Sequence, residues 1–554
     1  MKRIYVVLIS MAILSLVMLS YAQIATVDGV GGVPTADPTF TTSFTTVETA
    51  LVAIKASGLN IAGQTCTIQI TAANATAEST TVSQDLDTDC NLIIDGEVTG
   101  SAYGGTLAVL RLTGSDALGS PAGPEGLAIE MKTGTIITLR DLILIPTNSA
   151  PAGAYNFRMV QAFNSIAGST TSANFERVYF TARRVSDNTP VTNPFVHAPS
   201  ADTKAARIAE LCAFDGGGGN NAFVIQNLVA PSGGAMLTFN FTNCVFTHLG
   251  LMAAAASRGG GISMARTAEL TVNINEGCIF SFNDGSGIRG VGTLANATTA
   301  LNVNGTAMNP VFFYKNGWME DSVNTARNEG IQNDSSPIII NHAYFIGNYQ
   351  ESIDKLGLGP LNISDSYFAN NGSDLDTTIG TPPDVVNAGN LKVTGNTGNI
   401  SLTNCTIYNN LEPTNDSALS WTSTLVGGTT LGLSNVVIAG AGDQVYLNAA
   451  TGPSIYNETN VALVQAGADS LESPFITVGA NITPTVLYRV TADPVFQSTV
   501  FAPTWNGLGV LPGNLITYLA VNTGAYNGNR EPGASDVLGA NPNGVVPITD
   551  WVLY

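Results

Sequence analysis

LTFNFTNCVFTHLG, Leu237 to Gly250, is the stretch whose reading decides the fold. Its apolar residues Phe239, Phe241, Cys244 and Phe246 are spaced by two, then three, then two, which fits two short strands separated by a bend. The same offsets return at Ile137, Leu139, Leu142 and Leu144; at Ala173, Phe175, Val178 and Phe180; and at Ile338, Ile340, Ala343 and Phe345. They return again from Leu361, from Ile400 and from Leu431, and once with an extra residue at the bend, from Val272 to Phe280. A unit repeated this way cannot bury its apolar face alone, so the chain reads as a solenoid of stacked coils.

With the last apolar slot as marker, Phe180, Phe214, Phe246, Phe280, Phe313 and Phe345 follow one another at 34, 32, 34, 33 and 32 residues, and Phe368 comes after a step of 23. The short step approximates a bare circuit, so the longer coils carry extra loops of roughly ten residues. Three residues past the marker stand Asn283, Asn316, Asn348, Asn371 and Asn410. Their regular offset predicts an internal asparagine ladder, because amides at one corner can bond from coil to coil and asparagine tolerates a left-handed turn.

The slot before the marker points outward and holds Val245, Ile279, Phe312, Tyr344 and Tyr367 on successive coils. Such a column is covered by loops, contacts a protein, or stacks against sugars, and the residues leave these alternatives open. It is the candidate binding surface of the chain.

Composition bounds the function. The 554 residues carry a net charge of −20, and only 11% are charged. MKR followed by the apolar run Ile4 to Leu19 and by Ser20-Tyr21-Ala22 reads as a secretory signal, residues 1–22, cleaved after Ala22. Its removal takes away Lys2 and Arg3 and leaves a net charge of −22, which repels nucleic acid and polyanionic glycans. No later stretch is apolar enough to span a bilayer, so the expected product is secreted or attached at the cell surface.

An exported chain allows disulfides among its six cysteines. Cys212, Cys244, Cys278 and Cys405 occupy an inward slot and read as a buried stack of thiols. Cys66 and Cys90 open matching patterns, Cys66-Ile68-Ile70 and Cys90-Leu92-Ile94, and are the candidate disulfide. The domain order expected is a Gly/Pro/Thr-rich coil and cap helix over 23–58, the solenoid over 59–490, and an irregular cap over 491–554. Val47, Leu51 and Ile54 lie at helical spacing behind Thr45 or Thr46, which predicts the helix that closes the first coil.

These features carry a resemblance. The repeat ending in F-x-x-N resembles the right-handed parallel β-helix, pectin-lyase-like superfamily, and FTTVETALVAI, Phe44 to Ile54, looks like its N-terminal cap helix. Asp493 to Phe496, Ala520 to Gly524 and Asp536 to Ala540 resemble the closing pattern of large secreted bacterial surface β-helix repeat proteins. The resemblance implies an all-β, right-handed parallel β-helix with an N-terminal capping helix. It does not single out an activity, since this fold hosts lyases, hydrolases, adhesins and structural proteins alike.

No Gly-His-Gly, no tight Asp-Asp pair on a repeat strand and no arginine pair flanking a proline is present. Asp365, beside Tyr367, is the carboxylate to test first for glycan hydrolysis. Asp374 and Asp376 are candidate calcium ligands, with solvated loop charge the plainer reading. The reading that follows is a non-enzymatic surface or extracellular structural or adhesive protein, binding a glycan, a protein or itself. The alternatives are a polysaccharide lyase or glycoside hydrolase, and a self-assembling filament or surface layer. A cleft with two carboxylates within roughly 10 Å of each other would favour the enzyme, and a bare aromatic column without such a pair would favour binding.

Overall fold

A computed structural model describes residues 23–71 and, from 78 to 507, the strands with their adjoining turns. Residues 1–22, 508–554 and most of the longer connections, including Asp374, Asp376, Asn410 and the Cys212 to Phe214 stretch, lie outside the described residues. The strands form one sheet of 22 and a second of 12, and every strand pairing in both is parallel. Each complete coil gives two segments to the larger sheet and one to the smaller. In one such coil they are Glu269–Asn275, Ile279–Ser281 and Ile288–Gly290. The chain is therefore a parallel β-helix, and its core is the inside of the coil.

Alternation sets that core. Val272, Ile274, Cys278 and Phe280 are fully buried, as are Phe239, Phe241, Cys244 and Phe246 on the coil before. Strands in register are separated by about 4.8 Å, which leaves equivalent rings only a face-to-face arrangement. Phe180, Phe246, Phe280, Phe313, Phe345 and Phe368 accordingly stack at centroid distances of 4.6, 4.6, 4.9, 4.5 and 5.0 Å.

Register corrects one step of the expected repeat. Phe180 lies directly opposite Phe246, so no coil intervenes between them; Phe214 and Cys212, expected on such a coil, are outside the described residues. The spacing of 34 and 32 residues around Phe214 imitates the repeat, but a single long circuit joins the two coils.

The bend between the two segments of the larger sheet demands a left-handed residue on nearly every coil. Asp141, Arg177, Asn243, Gly277, His342, Asp365, Asn404 and Asn435 all have φ between 51° and 71° there. Most are short polar side chains or glycine, the types that tolerate this conformation best. Asn435 donates to Asn404, and Asn404 to Asp365, at 2.7 and 2.9 Å.

The expected corner ladder is present. Asn283, Asn316, Asn348 and Asn371 each donate from Nδ2 to the Oδ1 of the next, at 2.8, 2.9 and 2.7 Å, and Asn371 donates in turn to Asn390 at 2.6 Å. Asn390 enters from the smaller sheet, immediately before the strand Leu391–Val393. The left-handed residue is not the ladder asparagine itself but the one before it, Phe282, Lys315, Gly347 or Asn370.

The helix Val47–Ala56 forms where the sequence places it, with Thr46 as N-cap in a reciprocal hydrogen-bonded box with Thr49. Val47, Ala50, Leu51 and Ile54 are its buried face. The segment ahead of it is not all irregular coil, as expected from its Gly/Pro/Thr content: Gln23–Val27 is a strand, paired with Thr65–Ile70 from Gln23 opposite Cys66 to Val27 opposite Ile70. Two buried side chains, Ala25 and Val27, are too short a pattern to stand out between polar neighbours.

Candidate acid–base site

The candidate site lies on the outer side of the smaller sheet, where three successive phrases align: Ser286-Gly-Ile-Arg289, Glu329-Gly-Ile-Gln332 and Glu351-Ser-Ile-Asp354. The isoleucines Ile288, Ile331 and Ile353 point into the core and pair in register. Gly287 and Gly330, the residues before the first two isoleucines, back onto the interior ring stack. A Cβ at Gly287 would meet the Phe313 ring at 3.0 Å, and one at Gly330 would meet the Phe345 ring at the same distance, which is why glycine is used there. The residues at the ends of each phrase turn away from the core and form two polar columns. Ser286, Glu329 and Glu351 make the first, and Arg289, Gln332, Asp354 and Lys392 the second.

Carboxylate oxygens of Glu329, Glu351 and Asp354 lie within 4.8 Å of one another, and all three residues are buried. Ser286 Oγ donates to Glu329 Oε2 at 2.7 Å, and Lys392 Nζ donates to Glu351 Oε1 at 2.7 Å. Lys355, also buried, donates from Nζ to the Ser336 carbonyl at 2.8 Å.

Burial, and after it the charges of Asp354 and Glu351, pushes the Glu329 carboxyl up to about 8, against the lowering effect of the Ser286 hydrogen bond. Glu329 is thus an acid that keeps its proton at neutral pH. Burial works against the Lys392 ammonium, but the charge and hydrogen bond of Glu351, with Asp354 and Glu329 beyond, lift it above its ordinary value. The result is a protonated carboxylic acid beside a carboxylate paired with a cation, the arrangement that pushes two acids toward different roles. Three carboxylates at this spacing are also a possible ligand set for a hard cation such as calcium. The Lys392 ammonium already supplies the positive charge beside Glu351.

The residues singled out from sequence fare differently. Val245, Ile279, Phe312, Tyr344 and Tyr367 do form an outward column in register. None is more than 3% exposed, so the column offers no bare platform. Phe195 packs edge-on against Phe312 at 5.4 Å, Phe501 lies 6.4 Å from the same ring, and Trp505 backs Phe195 at 6.2 Å. Burial raises the Tyr344 hydroxyl above its ordinary range.

Asp365 is a residue of the left-handed bend, with φ of 51°, accepting from Asn404 and lying 3.9 Å from His342 Nδ1. Burial lowers the His342 imidazole, partly countered by Asp365. No second carboxylate of the acid cluster is among these contacts, so Asp365 has the place of a turn residue. His248 is buried, bonded through Nδ1 to Thr247 Oγ1 at 2.8 Å and stacked on Phe282.

Cys66 and Cys90 are free and buried. Register pairs Cys66 with Leu92 and Ile68 with Ile94, two residues out of step with the matching of patterns that nominated the disulfide. Cys244 and Cys278 stack as expected, the Cys244 amide donating to Cys278 Sγ at 3.4 Å.

Glu329 and Glu351 stood outside the sequence-level candidates, since they fall in turns 22 residues apart. The repeated Glu-small-Ile-polar phrase is the signal that finds them. Among the described residues, no helix is long and apolar enough to cross a membrane.

No family model and no curated protein matches the chain. Among solved structures it is similar to a GH136 lacto-N-biosidase from Eubacterium ramulus, at 10% identity over 83% of this chain and 68% of that one, with a TM-score of 0.32. A similarity of that size says nothing of activity.

Proposed function

We propose that this chain is an exported β-helix enzyme that hydrolyses a glycan, with Glu329 as the proton donor and Glu351 as its ionised partner. One observation carries the reading: a buried acid held protonated near neutrality within 4.8 Å of two further carboxylates. In this role Glu329 protonates the leaving glycosidic oxygen while Glu351 attacks the anomeric carbon. The short separation suits direct attack, for which about 5 Å is usual, better than the wider gap that admits a water. The acidic chain, net −20, disfavours an anionic substrate and with it lyase chemistry on uronates, so a neutral glycan is the substrate class.

A second reading, a non-enzymatic surface scaffold or adhesin, is favoured by one fact. Glu329 and Glu351 are 1% and 2% exposed and already bonded to Ser286 and Lys392, as a closed structural network would be. Reducing-sugar release from a panel of neutral glycans separates the two. Hydrolysis by the wild type, falling on the order of 100-fold or more in both Glu329→Gln and Glu351→Gln while the fold persists, is the expected result. No release from any glycan, or release untouched by both substitutions, would leave the scaffold reading.

A further inference from the structure

The face of the larger sheet that bears Asn240 is a regular, partly exposed surface, and the acid cluster plays no part in it. Its outward residues fall in columns. In the central one, Asn240 donates to Asn174, Asn273 to Asn240 and Asn302 to Asn273, at 2.9, 2.8 and 2.8 Å. This second asparagine ladder is half-exposed, unlike the buried one at the corner. The adjoining column carries Thr242 and Asn275, bonded to each other at 3.1 Å, and continues in amides and hydroxyls through Ser434.

Charge sets the partner. From the strand Met236–Thr242 to the strand Thr430–Gly440 neither column holds a charged residue, although the chain as a whole is strongly acidic. The charges of these columns, Asp95, Arg140 and Glu176, lie at one end, where Arg140 is paired with Asp95. Each ladder amide uses one of its two N–H groups and one of its two oxygen lone pairs on its neighbours. The ladder thus leaves one donor and one acceptor per rung, repeated about every 4.8 Å over its three steps, about 14 Å. Ile339, 46% exposed, follows Asn302 in the same column and adds an apolar spot to the row.

We propose that this face binds a neutral, linear polysaccharide lying along the stack, its hydroxyls meeting the spare amide donors and acceptors. An uncharged polyhydroxyl chain complements the face where a polyanion would meet the field of the acidic protein. Binding here is independent of the acid cluster, which sits on the other sheet.

Native gels containing hydroxyethyl cellulose or galactomannan test it, with polygalacturonate as the anionic control. The full chain should be retarded by at least one neutral polymer and not by polygalacturonate. The double variant Asn240→Ala/Asn273→Ala, and separately Asn362→Glu, which adds a charge at an exposed position beyond the ladder, should each weaken retardation about fivefold or more. Val52→Glu, which adds a charge at an exposed position of the cap helix away from this face, should be retarded like the wild type. Thermal melts identify a variant that fails to fold, and Asn362→Glu then decides. No retardation by either neutral polymer, stronger retardation by polygalacturonate, or retardation unchanged by Asn362→Glu would overturn the proposal.

Discussion

The two outward columns, one on each sheet, are built by the same alternation and have opposite chemistry. Phe312, Tyr344 and Tyr367 on the larger sheet stack on one another at 5.2 and 4.6 Å, and Phe195 and Phe501 cover Phe312. Gln332, Asp354 and Lys392 on the smaller sheet are also largely covered, but they stand beside Glu329 and Glu351. Burial alone therefore does not mark a functional face. Burial of rings gains apolar contact and ends there, whereas burial of carboxylates changes which of them holds a proton.

The largest expected effect tests whether the charged column is as closed as its geometry shows. Lys392→Met leaves Glu351 buried without its cation and should cost about 3–5 kcal/mol in chemical unfolding at neutral pH. A loss under about 1 kcal/mol would mean that water reaches Glu351 and that the contrast between the columns is smaller than it looks.

A smaller effect is a slope rather than a step. Glu329 binds its proton more tightly folded, at about 8, than its ordinary 4.5, so the folded state holds more protons between those values. Its contribution to stability is complete below about 4.5 and is lost as pH rises through about 8, by at most about 1.4 kcal/mol per pH unit. Unfolding measured across this range should show that decline in the wild type and a flatter line in Glu329→Gln. Equal slopes would remove Glu329 as the buried acid.

The smallest effect falls on the aromatic side. Phe501 is half-buried, and Phe501→Ala should cost about 0.5–1.5 kcal/mol while uncovering Phe312, seen as increased binding of an apolar dye. A cost above about 3 kcal/mol would place the cover within the core proper.

How much of this was legible depends on distance along the chain. The Phe239, Phe241, Cys244, Phe246 pattern was legible because alternation and bend are local, and every coil repeats them. The Asn283 to Asn371 ladder was legible because a constant offset within each coil becomes a straight column when coils stack. Phe214 misled for the same reason: it sits at the right interval by chance, and only strand pairing shows that Phe180 meets Phe246. Cys66 and Cys90 show the same ambiguity of register: a pattern of two has two equally good alignments two residues apart, and Cys66 lies opposite Leu92.

The sequence by itself determined the coil, its bend, its cap helix, its inward rings and its acidic charge, all of which follow from short-range spacing and composition. Only the tertiary structure decided which outward column is covered and which carboxylates meet. The cover over Phe312 comes from Phe195 and Phe501, residues far from it in sequence, and Glu329 meets Glu351 because one full turn of the helix brings residues 22 apart onto the same corner. Circuit length is a property of the whole turn, loops included, and no local pattern records it.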